Sequence, residues 1–131
     1  MHILMCNDDG ILADGLRHLA SYLSQYYRIT VVAPANEQSA KSHALTTEVP
    51  LKLDACNGED ENPRLYALTG TPSDCMKFGL SYLLTDDMPD LVISGINHGF
   101  NLGSDVLYSG TVSAAMESSF YGIPGLALSV E

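Results

Sequence analysis

Basic side chains are scarce in this chain. Only 6 Lys and Arg stand against 16 Asp and Glu, for a formal net charge of −10. Such a surface repels a nucleic acid backbone and argues against duplex binding. A small phosphorylated substrate is repelled as well, unless a bound cation screens it. Cysteines are few. Cys6, Cys56 and Cys75 make an odd count without paired spacing, which does not read as a disulfide framework. A reduced, cytoplasmic setting is expected, with Cys6 a small buried hydrophobe. No apolar run approaches a membrane span. Met1–Cys6 is too short, and too soon interrupted by Asp8 and Asp9, to read as a signal peptide. Repeats, low-complexity tracts and interdomain linkers are missing too. What remains is ordinary: 131 residues, 46% hydrophobic and 17% charged. That composition reads as one globular domain over 1–131 with a real core.

Along the chain, strands alternate with helices. Residues 2–6 are a short apolar run closed by Asn7-Asp8-Asp9-Gly10, a buried strand and a turn. Residues 11–26 put Ile11, Leu12, Leu16, Leu19, Leu23 and Tyr26 on one helical stripe, with Tyr22, Tyr26 and Tyr27 packing along it. Ile29–Ala33 is a second buried strand, and 34–45 a polar loop. Thr46–Leu53 reads as a more exposed strand, 54–63 as an acidic surface loop and Leu65–Leu68 as a strand. A helix follows from about Pro72 to Leu84. Asp90–Ser94 repeats the strand-then-turn pattern, ending at Gly95–Gly99. Residues 100–110 form a Gly-, Ser- and Asn-rich loop. Thr111–Tyr121 is a helix and Leu126–Val130 a last strand. This alternation predicts an α/β, Rossmann-like three-layer sandwich with a mostly parallel sheet. The final strand has no helix after it, so apolar surface and a sheet edge are expected to need a partner or a continuation.

Ligands of open α/β sheets bind beyond the carboxyl ends of the strands. Three such ends carry oxygen-bearing side chains. The first has Asn7, Asp8 and Asp9. The loop after the second has Asn36, Glu37, Gln38, Ser39 and Ser42. The strand ending near Ser94 leads to Asn97, Asn101, Ser104, Asp105, Ser109 and Thr111. Brought together, they would make hard oxygen ligands suited to Mg2+, Mn2+ or Ca2+ rather than zinc. Adjacent Asp8 and Asp9 repel each other and are costly without a counterion. A plain helix cap explains one of them and leaves the other over. Ser109-Gly110-Thr111 leads into a helix whose free N–H groups favour an anion such as phosphate, although an ordinary capped helix has the same pattern. Gly70-Thr71-Pro72-Ser73-Asp74-Cys75 reads as a second helix cap. His2, His18, His43 and His98 lack zinc-ligand spacing. His2 and His18 read as structural or surface residues, while His43 and His98 sit in the site loops.

Several motifs resemble one family in order. They are Asn7-Asp8-Asp9-Gly10; Val32-Ala33-Pro34 with Gln38-Ser39; Gly70-Thr71-Pro72-Ser73-Asp74-Cys75; Ser94-Gly95-Ile96-Asn97; and Asn101-Leu102-Gly103 leading to Tyr108-Ser109-Gly110-Thr111-Val112. Together they are similar to the SurE survival-protein family. The resemblance implies a metal-dependent phosphomonoesterase acting on nucleoside monophosphates, with one divalent cation per subunit, Mg2+ or Mn2+ first. It implies Asp8, Asp9, Ser39 and Asn97 as metal ligands, with Asp8 and Asp9 also catalytic. Asn7, Ser109, Gly110 and Thr111 would then lie at the phosphate. Two departures stand out. Ala40 occupies a position that is usually Gly in the family. The family's C-terminal part, which joins subunits into a homodimer or homotetramer, has no counterpart here.

Other classes fit less well. A haloacid-dehalogenase-like phosphatase needs two Asp residues separated by one position, and here they are adjacent. A nicotinamide-binding domain needs G-x-G-x-x-G after the first strand, which is missing. A non-catalytic metal- or nucleotide-binding fragment would carry the same motifs as the enzyme.

Overall fold

The computed structural model describes residues 1–37 and 49–131. The chain runs β1 (His2–Cys6), α1 (Asp14–Leu23), β2 (Arg28–Pro34), β3 (Leu53–Ala55), β4 (Arg64–Leu68), α2 (Pro72–Phe78), β5 (Leu91–His98), α3 (Gly110–Glu117) and β6 (Gly125–Val130). The sheet order is β3-β4-β2-β1-β5-β6. Only β3 is antiparallel, pairing with β4. This is the expected α/β sandwich.

Every residue of β1 is buried, as a central strand of a parallel sheet requires. Its side chains alternate between faces. Ile3 and Met5 join Ile29, Val31 and Ile93 beneath Leu16 and Ala20 of α1. Leu4 and Cys6 join Val32 and Val92 on the opposite face, against Met76 of α2 and Ala114 of α3. Each Val, Leu, Ile or Met among them contributes roughly 1.5–3 kcal/mol when fully buried, so the centre of the sheet is the rigid part of the molecule. Cys6 and Cys75 are buried and free, and Cys56 is exposed and free.

Several boundaries differ from the expectations. Helix α1 spans Asp14–Leu23, not 11–26. Ile11 N donates to Pro34 O at 2.9 Å, which ties the preceding turn to β2 and delays the helix. Leu12 and Tyr26 fall outside the stripe and are exposed. The tyrosines do not pack the helix onto the sheet. Their rings meet one another at the surface, with centroids 5.7 Å (Tyr22–Tyr26) and 6.4 Å (Tyr26–Tyr27) apart.

Of the strand expected over Thr46–Leu53, the described residues 49–52 are not strand; β3 begins at Leu53 and runs two residues into the expected loop, to Ala55. Residues 46–48 lie outside the described residues. Helix α2 continues as a wider π-helical turn over Gly79–Leu83, which matches the expected end near Leu84. Strand β5 does not stop at Ser94 but runs to His98. The register with β6 shifts between Ser94 and Asn97, so the glycine that signals a turn sits in a bulge. Gly95 has φ +131°, and a Cβ there would lie 2.3 Å from Leu128 O. Only glycine lets β6 approach. A 3-10 helix, Gly103–Tyr108, occupies the expected loop.

Candidate functional site

Strand β1 lies between β2 and β5. From it, one parallel series runs outward to β4 and the other to β6. Between β1 and β5 the strand order therefore reverses, the place where open α/β sheets form a ligand crevice. Asp8, Asp9, Asn97 and Ser109 line one cavity of about 460 Å3 there, with Glu37, His98, Phe100, Asn101, Asp105 and Tyr108. A comparable hollow of about 480 Å3 lies at the other end of the sheet, near His2, Arg28 and Asp90. It lacks the carboxylate pair and sits at the strands' amino ends.

Asp8 is buried. Its Oδ1 accepts a hydrogen bond from Thr111 Oγ1 at 3.0 Å. Burial pushes its carboxyl above the ordinary carboxylate range. The Thr111 bond opposes that rise, while Asp9 and Glu37 add to it by charge. Asp9 Oδ2 is buried and takes no hydrogen bond from the described residues. A buried carboxylate oxygen without a donor is costly, and here a second carboxylate adjoins it. A hard cation relieves both problems, so these residues fit a divalent ion. Among the described residues no three His, Cys, Asp or Glu side chains gather as a ligand set. An ion would therefore rest on the two carboxylates plus amide or hydroxyl oxygens.

Asn97 is half-buried, and its Nδ2 donates to Gly99 O at 3.0 Å. That bond occupies the nitrogen side, so Oδ1 is the atom of this side chain that could hold a cation. Ser39, Ser42 and His43 lie outside the described residues.

Helix α3 reaches the crevice with its N-terminus. Ser109 caps it, its Oγ accepting from Val112 N at 3.2 Å. The hydroxyl proton stays available to a ligand. A Cβ on Gly110 would lie 2.9 Å from Asp8 Cβ and 3.2 Å from Pro72 Cγ. The glycine thus lets the helix end seat directly on Asp8. Thr111 is fully buried, so its hydroxyl serves Asp8, and what it offers the crevice is a first-turn amide.

Asn7, expected at the substrate, has its amide engaged within the turn. It is fully buried, its Nδ2 donates to Gly10 O at 2.9 Å, and its Oδ1 accepts from Gly10 N at 3.1 Å. Its amide braces the turn that carries Asp8 and Asp9. The Thr71 cap is structural, as expected: Asp74 N donates to Thr71 Oγ1 at 3.1 Å, and Thr71 N to Asp74 Oδ2 at 2.8 Å. His2 is buried at the far end of β1, with Nε2 2.9 Å from Thr30 Oγ1, and His18 is exposed. His98, expected in a loop, is the last residue of β5 and lines the cavity. Phe100 and Tyr108 line it too, and sequence reasoning gave neither ring a role. The one available signal was two aromatics bracketing a small-residue segment.

Comparison with known proteins places the chain in a family. The family model described as "Survival protein SurE" matches residues 3–131. A protein named "5'-nucleotidase SurE" from Thermoanaerobacter sp. (strain X514) is 54% identical over 129 residues, covering 98% of this chain and 50% of the relative. One of the same name from Vibrio vulnificus (strain YJ016) is 50% identical over 130 residues, covering 99% and 49%. A crystal structure of the SurE protein from Aquifex aeolicus superposes with a TM-score of 0.85 at 43% identity, covering 98% of this chain and 50% of that one. The chain spans about half the length of the curated relatives it matches. It belongs to the SurE survival-protein family.

Proposed function

We propose that this chain carries the metal- and phosphate-binding machinery of a 5′-nucleotidase, which hydrolyses nucleoside monophosphates to nucleoside and phosphate. The observation that carries the reading is the buried, unpartnered Asp9 Oδ2. It stands beside buried Asp8, which the first turn of α3 clasps. One divalent cation, Mg2+ or Mn2+, would rest on Asp8, Asp9 and Asn97, with Ser39 as the fourth protein ligand that family membership implies. When bound, such an ion neutralises phosphate charge and acidifies a water molecule.

The chain's own groups do the rest. Ser109 donates its hydroxyl proton to a phosphate oxygen. The amides of Gly110 and Thr111 point along the helix axis toward developing charge on the phosphoryl group. Asp8, fixed by Thr111, keeps one orientation throughout. The carboxylates repel an incoming phosphate when no ion is present, so turnover depends strictly on metal. Three free cysteines suit a reducing, cytoplasmic setting. No described helix is long and apolar enough to cross a membrane.

The test is phosphate release from a panel of nucleoside monophosphates, with and without Mn2+ or Mg2+, beside calorimetric Mn2+ titration. Metal-dependent release supports the reading. Mn2+ binding without release from any substrate supports a second reading, a metal- or nucleotide-binding fragment without turnover. Equal Mn2+ affinity in wild type and Asp9→Ala rules out the metal site.

A further inference from the structure

The cavity has a wall that phosphate chemistry leaves unused. Phe100 and Tyr108 both line it. They stand just before and at the end of the 3-10 helix Gly103–Tyr108. Phe100 is 54% exposed and Tyr108 68% exposed. Neither ring belongs to the two hydrophobic clusters that hold the sheet. Two aromatic rings open to water beside a carboxylate site serve no packing purpose, and exposed apolar surface at a cleft marks ligand contact.

We infer that Phe100 and Tyr108 form a stacking wall for the base of a nucleotide whose phosphate lies at Ser109 and the Asp8–Asp9 pair. This rests on the nucleotidase reading and adds to it the part of the protein that recognises the nucleoside. Size supports it. A cavity of about 460 Å3 lies in the range of small-molecule sites, roughly 300–1,000 Å3, and phosphate alone would leave most of it empty. Position supports it as well. Tyr108 immediately precedes the Ser109 cap, and Phe100 follows Asn97 by three residues, so both rings are tethered beside the phosphate end. Charge points the same way. Glu37 and Asp105 add to the acidity of the walls, which acts alike on the phosphate of a nucleotide and of a sugar phosphate. A neutral base stacks regardless of that charge. Every base has a π face, so stacking is tolerant of base identity. The wall therefore separates nucleotides from sugar phosphates and only weakly separates one nucleotide from another.

The test uses non-hydrolysable methylenephosphonate analogues of adenosine 5′-monophosphate and of ribose 5-phosphate, in which CH2 replaces the bridging ester oxygen. Both are titrated calorimetrically into the chain with Mg2+ present. Wild type should bind the adenosine analogue more tightly by roughly 5- to 100-fold, the range that stacking on aromatic side chains supplies. Phe100→Leu with Tyr108→Leu keeps apolar bulk and removes both rings, and circular dichroism checks that the variant folds. The double variant should lose the preference, with the loss falling on the adenosine analogue. Equal affinities in wild type, or a preference that survives in the double variant, overturns this inference alone. Failure of the folded wild-type chain to bind either analogue overturns it together with the nucleotidase reading.

Discussion

Thr111 Oγ1 donates to Asp8 Oδ1 at 3.0 Å, joining residues 103 apart in sequence. The bond links the turn after the central strand to the helix that faces the crevice. Both side chains are buried, so the donor has no solvent substitute. Thr111→Val keeps the shape and removes the hydroxyl. A buried hydrogen bond to a charged group is worth about 1.5–3 kcal/mol, and urea denaturation should show a loss of that order. Mn2+ affinity should fall as well, because Asp8 loses its fixed orientation. Thr111→Ser should restore both. A valine variant as stable and as tight for Mn2+ as wild type would show that Asp8 needs no positioning.

Asp9→Asn separates the needs of the fold from those of the ion. Without metal, a charge is removed beside buried Asp8, and an unpartnered carboxylate oxygen becomes an amide atom. Metal-free stability should rise by about 1 kcal/mol, or ~3–4 °C in Tm for a domain of this size. The Tm increase that Mn2+ produces in wild type should disappear. Thermal melts with and without Mn2+ check both. A variant destabilised without metal, yet still stabilised by Mn2+, would mean that the Asp9 carboxylate belongs to the fold and not to the site.

Two buried groups give the stability opposite pH slopes. Burial lowers the pKa of His2, and nearby Arg28 lowers it further, while Asp87 and Asp90 act the other way. The unfolded chain therefore takes up the proton first. The stability His2 contributes is present above its ordinary value of about 6.5 and is lost as pH falls through the lower folded value. Asp8 is raised instead, so the folded state holds that proton longer. Its contribution is present below the ordinary carboxylate value and is lost as pH rises through the folded one. Metal-free denaturation from pH 4 to 8 should therefore be flatter at its acid end in His2→Gln. It should fall less steeply above the carboxylate range in Asp8→Asn. Parallel profiles for wild type and both variants would rule this assignment out.

The carboxylate pair was legible in sequence because a short apolar run ending in two acidic residues has few structural explanations. The sheet was legible for the same reason: His2–Cys6, Ile29–Ala33 and Leu126–Val130 are compact apolar runs. Partners across long separations were not. Nothing local says that Thr111 spends its hydroxyl on Asp8, 103 residues away. Gly95 misled because the same residue type serves a turn and a bulge, and only the approach of Leu128 decides between them. The start of α1 misled because Ile11 has helical spacing, while its N–H is taken by Pro34. Phe100 and Tyr108 carry no periodic signal. Their common cavity exists only once β5 runs on to His98.

Strand β6 carries exposed apolar side chains. Among the described residues it is an edge strand that pairs with β5 alone. Leu126 is 50% exposed and Val130 40% exposed, and residues two apart share a face of the sheet. Leu128, between them, packs only partly against the α1-side core. That half-covered stripe lies beside a row of unpaired backbone groups, a combination that invites another chain. The chain spans about half the length of its relatives, and a version extended to that length supplies further polypeptide that can lie here. The 131-residue chain should therefore self-associate at micromolar concentration, melt at a lower temperature than the extended version and turn over nucleotide more slowly. Leu126→Lys places a charge on the stripe and should shift the chain toward monomer without touching the crevice. Light scattering and thermal melting of all three proteins, with nucleotidase rates in parallel, decide the matter. A monodisperse, stable, fully active 131-residue monomer would show that the β6 face needs no cover.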